Sequence, residues 1–468
     1  MFKNINIFKS ILAILILFVP LYPKFPLFNV SDTYVAIRLD DIVIGLAVLS
    51  WIIYQIKNKF PVFKTKISLL FIAYFIAIIA SFVTAFFVYQ TDLTNILVLN
   101  LFRRFEYMSL FFVTLPAIKN IKDTKVFYIF LLIATFFVCV YGYGQKYFKF
   151  PVISTMNSEF SKGQLLQMNT WTRISSTFAG HYDLAAFMSV VLIIIGAAVI
   201  ISKNKLIKIT SLIIWIASFN ILTLTASRVS IFAFWGGISL SLILLRKYLW
   251  IVPISLLVIF SMFSSKDLNQ RLLATIPALK NQFISTSNNT NNPTPTLTPI
   301  PTTVVSTKPT GTKSTTPTPT IVRHQETENY PQVDTDVGVA RSGEIRFNVE
   351  WPRAINAFKK NPITGTGLGS ITLATDNDYL RNLGESGVLG FITFSTVIIF
   401  FVKETFLFGF KKNKTDEQKM AIILFGGLAA TLANAIFIDV FEASKTAYLF
   451  WIMMGLYYQL ITQFHDQK

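Results

Sequence analysis

About a dozen apolar stretches, each near the length of a membrane crossing, divide most of this 468-residue chain. A bilayer core takes about 20 mostly apolar residues per helix. Segments of that kind lie near 7–22, 37–56, 67–89, 95–118, 125–145, 182–202, 207–226, 229–246, 248–264, 385–402, 419–438 and 444–463. Hydrophobic residues make up 53% of the chain, with 45 Phe, and charged residues only 14%. That balance excludes an ordinary soluble domain. The expected fold is all-α: a polytopic membrane protein with about twelve transmembrane helices. The first apolar stretch lacks a small-residue cleavage site after it and reads as a span rather than a removed signal.

The net charge of +18 would suit nucleic acid if it formed a patch, but the cations are spread over alternate short loops. Lys57, Lys59, Lys64 and Lys66 share one loop, and Lys119, Lys122 and Lys125 the next. Lys203, Lys205 and Lys208, then Arg246 and Lys247, then Lys403, Lys411, Lys412, Lys414 and Lys419 complete the series. This is how cytoplasmic loops are marked. It excludes nucleic acid as the expected partner and puts both termini in the cytoplasm. Membrane lipids are the expected surroundings, in a multi-pass plasma (inner) membrane protein. The single cysteine, Cys139, lies inside an apolar span, so neither a disulfide framework nor a Cys-rich metal site is expected.

Three regions follow: a bundle of about nine helices over 1–264, a large extracytoplasmic loop over 265–384 between the ninth and tenth helices, and about three helices over 385–468. Within the loop, 267–283 is amphipathic and reads as a helix on the membrane or against the bundle. Residues 285–320 are rich in Pro and Thr without hydrophobic period, and read as a disordered insertion. Pattern returns in the motif region 341–384. Ile345, Val349, Ala354, Ile355 and Phe358 fall at helical spacing, with Pro352 bending or restarting the helix. Asn361-Pro362 ends it, and Gly365, Gly367 and Gly369 form a tight turn. No βαβ pattern surrounds those glycines, so a nucleotide loop is not expected.

Arginines near membrane depth are the chemical signal. Placing one at the bilayer centre costs about 2.5–3.5 kcal/mol on insertion scales. Arg228, in LTLTASRVSIFAFW, stands between two apolar runs at an outer boundary; it either holds a ligand or snorkels to lipid headgroups. Arg103 and Arg104 lie within the fourth span, with Glu106 on the Arg103 face, and internal pairing is the expected reading. Arg173 precedes the sixth span, beside Ser175, Ser176 and Thr177, and His181 in the same stretch is either a base or merely hydrogen-bonded. Arg341, Arg346 and Arg353 add to the outer set. Planar guanidinium groups hold phosphate oxygens bidentately and stay charged, so an anionic, membrane-borne substrate such as a lipid-linked diphosphate fits.

These pieces together resemble the O-antigen ligase and polymerase family of bacterial envelope glycan assembly. RISSTFAGHYDLAAF is similar to the family segment before the sixth span, though His181-Tyr182-Asp183 replaces the usual Asn-Pro-Asn. TASRVS resembles the Ser-Arg element at Ser227 and Arg228. Arg346, Trp351, Ala354, Phe358, Asn361-Pro362 and the 365–369 glycine turn resemble the outer-loop signature. DNDYLRNLGESGVLGF resembles the His-Asn-x-Tyr-Leu motif, with Asp376 where ligases usually carry histidine, which leans toward polymerisation.

The resemblance implies transfer of a glycan from a polyprenyl-diphosphate-linked donor to a glycan or lipid-glycan acceptor, inverting, without metal or cofactor. It implies Asp376 as general base, Arg228 and Arg346 on the diphosphate, and Arg173 as a weaker third. Asn377, Tyr379, Arg341 and His181 are then further substrate contacts. A transporter or flippase of lipid-linked saccharides would also want membrane arginines. It would spread them along a path and repeat its halves, and no repeat is visible.

Overall fold

The structure is a computed structural model that describes residues 7–23, 25–29, 36–87, 94–153, 165–166, 173–264, 345–371 and 374–465. Arg341, the amphipathic stretch 267–283 and the insertion 285–320 lie outside the described residues. Each apolar segment read from the sequence coincides with a helix: α1 (Ile7–Leu21), α2 (Leu39–Lys57), α3 (Lys66–Phe87), α4 (Thr94–Thr114), α5 (Ile121–Phe148), α6 (His181–Ile201), α7 (Lys205–Leu224), α8 (Arg228–Leu244) and α9 (Ile251–Ser264). A short α10 (Trp351–Lys360) then precedes α11 (Asp378–Gly409), α12 (Asp416–Asn434) and α13 (Ser444–His465). Among the described residues, strands are confined to two small antiparallel pairs.

By length and composition, six of these helices are apolar enough to cross a membrane: α2, α3, α5, α6, α7 and α11. The expectation of about twelve crossings is therefore met by composition in half of them. Helices α1 and α8 and the run Tyr248–Phe263 are apolar but shorter, and α4 carries Arg103, Arg104 and Glu106.

Two cores hold the bundle. One joins α1 to α4 with α11 to α13 around Phe71, whose ring stacks on Phe111 at 4.7 Å and meets Trp451 edge-on at 5.5 Å. The other fills α5 to α9 around Phe178, Phe219 and Phe234. Membrane helices meet closely where residues are small. Gly237 of α8 is such a place, since a Cβ there would stand 2.5 Å from the Gly426 carbonyl of α12.

Helix α11 begins at Asp378, seven residues before the apolar run suggests, because the Asn377 side chain accepts from the Leu380 N–H and caps it. It is broken at Gly387, where φ is +65°. The segment after α10 fills the break: Thr366 and Gly367 donate to the Gly384 and Glu385 carbonyls, and Val388 and Leu389 donate to those of Pro362 and Ile363. Pro352 does restart a helix, following a π-helical turn over Arg346–Glu350. The three turn glycines all take positive φ.

Candidate functional site

The starts of α6, α8, α11 and α13 and the ends of α7 and α12 meet at one end of the bundle. The lysine-bearing connections join helices at the opposite end.

Three turns bring the arginines together. Arg173 enters on a loop that Gln145 of α5 fixes: its Oε1 accepts from Ser176 N at 2.7 Å and its Nε2 donates to Ser176 O at 2.9 Å. The same loop is tied by Lys445, buried at the start of α13, which donates to the Thr177 and Pro20 carbonyls at 2.7 and 3.0 Å. Arg228 opens α8 after a turn in which Ala226 has φ of +53°. A side-chain chain from Ser227 through Ser230 and Asn434 to Ser189 locks that start against α12 and α6. Arg346 comes from the π-helical turn before α10.

Tyr182 neighbours Arg228 and Arg346, and Arg173 is a further neighbour of Arg228. Arg346 lies over the Tyr182 ring, 5.8 Å from the centroid. Tyr182 and the cations Arg173 and Arg346 are electrostatic neighbours of Arg228. Arg173 Nη1 lies 2.8 Å from His181 Nε2, so His181 serves as a hydrogen-bond partner of that arginine. Its ring packs on Tyr182 at 4.1 Å.

Asp376 joins this set through Arg346, whose Nε and Nη2 both reach its Oδ2, at 2.9 and 2.8 Å. Its backbone is left-handed, with φ of +49°, a conformation that aspartate tolerates better than most residues. Asp439, in the connection from α12 to α13, holds it there. The Asp439 carboxylate accepts from the N–H groups of Thr375 and Asn377, the two residues flanking Asp376, at 2.9 and 3.2 Å. It also takes Arg381 Nη1 at 2.7 Å. Burial pushes the Asp376 carboxyl above the usual range, against the pull of Arg346, and the Asp439 charge adds to the rise. A carboxylate shifted upward is a better proton acceptor near neutral pH. Arg381 is spent on Asp439, Glu385 at 3.3 Å and the Ile371 carbonyl.

Two expected contacts serve the framework in this arrangement. Asn377 caps α11, and the Tyr379 hydroxyl donates to the Leu432 carbonyl at 2.8 Å. Arg346, Asp376, Arg228, Arg173 and His181 are brought together. Sequence reading missed Tyr182, which it saw only as a departure from a motif, and Asp439, an acid in a short loop with no periodic signal. It also missed Glu350, four residues beyond Arg346. Burial, then the charge of Asp376, push Glu350 up to about 7.

Deeper in the same end, Arg104 pairs with Glu442 rather than with Glu106. Burial alone would raise Glu442, but Arg104, then Arg381 and Arg103, hold it below its ordinary value. Asp378 accepts from the Phe441 N–H at 3.1 Å.

Chemically, the cluster offers planar cations for an oxyanion and, beside them, a carboxylate with one oxygen committed to Arg346. Residues 212–395 match the family model described as O-antigen ligase. That match spans Arg228, Arg346 and Asp376, while Arg173, His181, Tyr182 and Asp439 are supplied from outside it. A comparison with curated proteins gave no match.

Proposed function

We propose that this chain, a member of the O-antigen ligase family through residues 212–395, transfers a glycan from a polyprenyl-diphosphate carrier to a sugar hydroxyl. The family supports glycosyl transfer in envelope glycan assembly, with lipid-linked glycan and acceptor as substrates, and together with the apolar helices it indicates a multi-pass inner-membrane protein. The donor, the acceptor class and the residue roles are our reading. The observation that carries it is the convergence of Arg173, Arg228 and Arg346 beside a left-handed Asp376.

In this reading the acceptor oxygen attacks the anomeric carbon from the face opposite the diphosphate. The new C–O bond forms as the bond to the diphosphate oxygen breaks, and its electron pair leaves with the diphosphate. Arg228 and Arg346, with Arg173 behind them, stabilise that growing negative charge without having to reorganise. The hydroxyl proton passes to the free oxygen of Asp376, and the anomeric configuration inverts. Because the guanidinium groups supply the positive charge, the reaction is assigned no metal. The site end of the bundle then faces away from the cytoplasm, opposite the lysine loops. Replacement of Asp376 by Asn favours this reading if folded protein stops lengthening or transferring lipid-linked glycan in detergent. Unchanged product would remove Asp376 from the mechanism. A glycan size profile of producing cells with and without the protein separates the two forms of the reaction: lost chain length means polymerisation, unattached full-length glycan means ligation.

A further inference from the structure

Resting on that transfer reading, we propose that Glu350, Trp351 and Arg353 form the subsite for the acceptor sugar, binding ring hydroxyls beside Asp376. The argument begins with three buried polar atoms that have no hydrogen-bond partner among the described residues: Glu350 Oε2, Trp351 Nε1 and Arg353 Nη1. An unsatisfied buried donor or acceptor is unfavourable, and native structures keep few of them. Here they fall within four consecutive residues of the segment that also bears Arg346.

The set has the chemistry of a sugar hydroxyl turned inside out. A hydroxyl donates one hydrogen bond and accepts others; the segment carries one buried carboxylate oxygen able to receive and two buried N–H-bearing nitrogens able to give. Trp351 is held in place by Phe347, edge-on at 4.6 Å, and by Phe437 at 6.2 Å. Its N–H direction is therefore fixed before any ligand arrives, which lowers the ordering cost of binding. Glu350 and Arg353 are also electrostatic neighbours, so this edge is nearly balanced in charge and suits neutral hydroxyls better than a phosphate.

Its position fits an acceptor. The charged neighbours of Glu350 are Asp376, Arg346, Asp439 and Arg353, whereas those of Arg228 are Arg173 and Arg346, with the neutral Tyr182 beside them. Arg346 is common to both sets, so the Arg346–Asp376 pair adjoins both the cationic group and this polar one. A hydroxyl held by the polar group lies next to the proposed base, with the diphosphate at the cationic group.

The test uses purified full-length protein in detergent and two probes: sodium diphosphate, and the oligosaccharide freed by mild acid from the producing cell's own lipid-linked glycan. Trp351→Phe keeps the ring between its aromatic neighbours and deletes the N–H. Glu350→Gln keeps the shape and removes the charge. Each is expected to weaken oligosaccharide binding roughly tenfold while diphosphate binding stays within about twofold. Arg228→Met should give the reverse pattern. Unchanged oligosaccharide binding in folded Trp351→Phe, an equal loss for both probes, or failure of the wild type to bind the oligosaccharide overturns the subsite. Wild-type protein that binds both probes yet converts no lipid-linked glycan overturns the transfer reading instead.

Discussion

Two clusters built from the same residue types lie at one end of this bundle, and they are arranged differently. In the inner one, Arg104 meets Glu442 and Arg381 meets Glu385 and Asp439, with side chains largely out of contact with solvent. In the other, Arg173 and Arg346 neighbour Arg228, Asp376 is bonded to Arg346, and buried polar atoms on the 350–353 edge have no hydrogen-bond partner among the described residues. The inner cluster closes on itself and works as a joint between α4, α11 and the connection before α13. The other gathers three guanidinium groups beside one carboxylate, an arrangement suited to receiving an anion.

The contrast predicts different failures. The largest effect belongs to Asp376→Asn: a loss of about 10²–10⁴-fold in turnover at normal membrane abundance, measured with lipid-linked glycan in detergent. Arg228→Met follows, at roughly 10²–10³-fold, again without loss of protein. Arg104→Met should do the opposite. Taking Arg104 from the buried Glu442, which then keeps only the charges of Arg381 and Arg103, costs at most about 3–5 kcal/mol, read as a lower Tm and poorer accumulation, while each folded molecule keeps its activity. If Arg104→Met lost turnover at full stability, the division between joint and site would collapse.

A smaller effect concerns pH. Glu350 titrates near 7 in the folded protein, so acceptor affinity should fall as pH drops below about 7, and Glu350→Gln should abolish that limb. The sign for stability is reversed. Folding raises this carboxyl above its ordinary value of about 4.3, so the folded state binds the extra proton. Stability should decline as pH rises from there through 7, and a flat thermal profile in Glu350→Gln relative to wild type would be the check. The smallest expected effect is that of a chelator, which should leave turnover unchanged; a sustained loss restored by magnesium would contradict the arginine assignment.

The helices could be read from the sequence because lipid imposes a length and a composition on each crossing. Arg228 stood out for the complementary reason, that a cation between two apolar runs needs a cause. The turn at 361–369 and the restart at Pro352 were written in residues with few backbone options. Partners distant in sequence could not be read. The i+3 rule pointed Arg103 at Glu106, yet the tight pair is Arg104 with Glu442, 338 residues away. Asp439 carried no signal because its role is to hold two backbone N–H groups of a loop more than sixty residues earlier.

That clamp has a consequence for what counts as the working unit. The matched family region stops at 395, and it contains the proposed base but not the carboxylate that sets the base's backbone. A fragment cut at that border would keep Arg228, Arg346 and Asp376 in name while releasing Thr375 and Asn377. Placed on a separately expressed C-terminal piece, residues 396–468 should restore what the cut removes, with Asp439 as the residue that makes the rescue succeed.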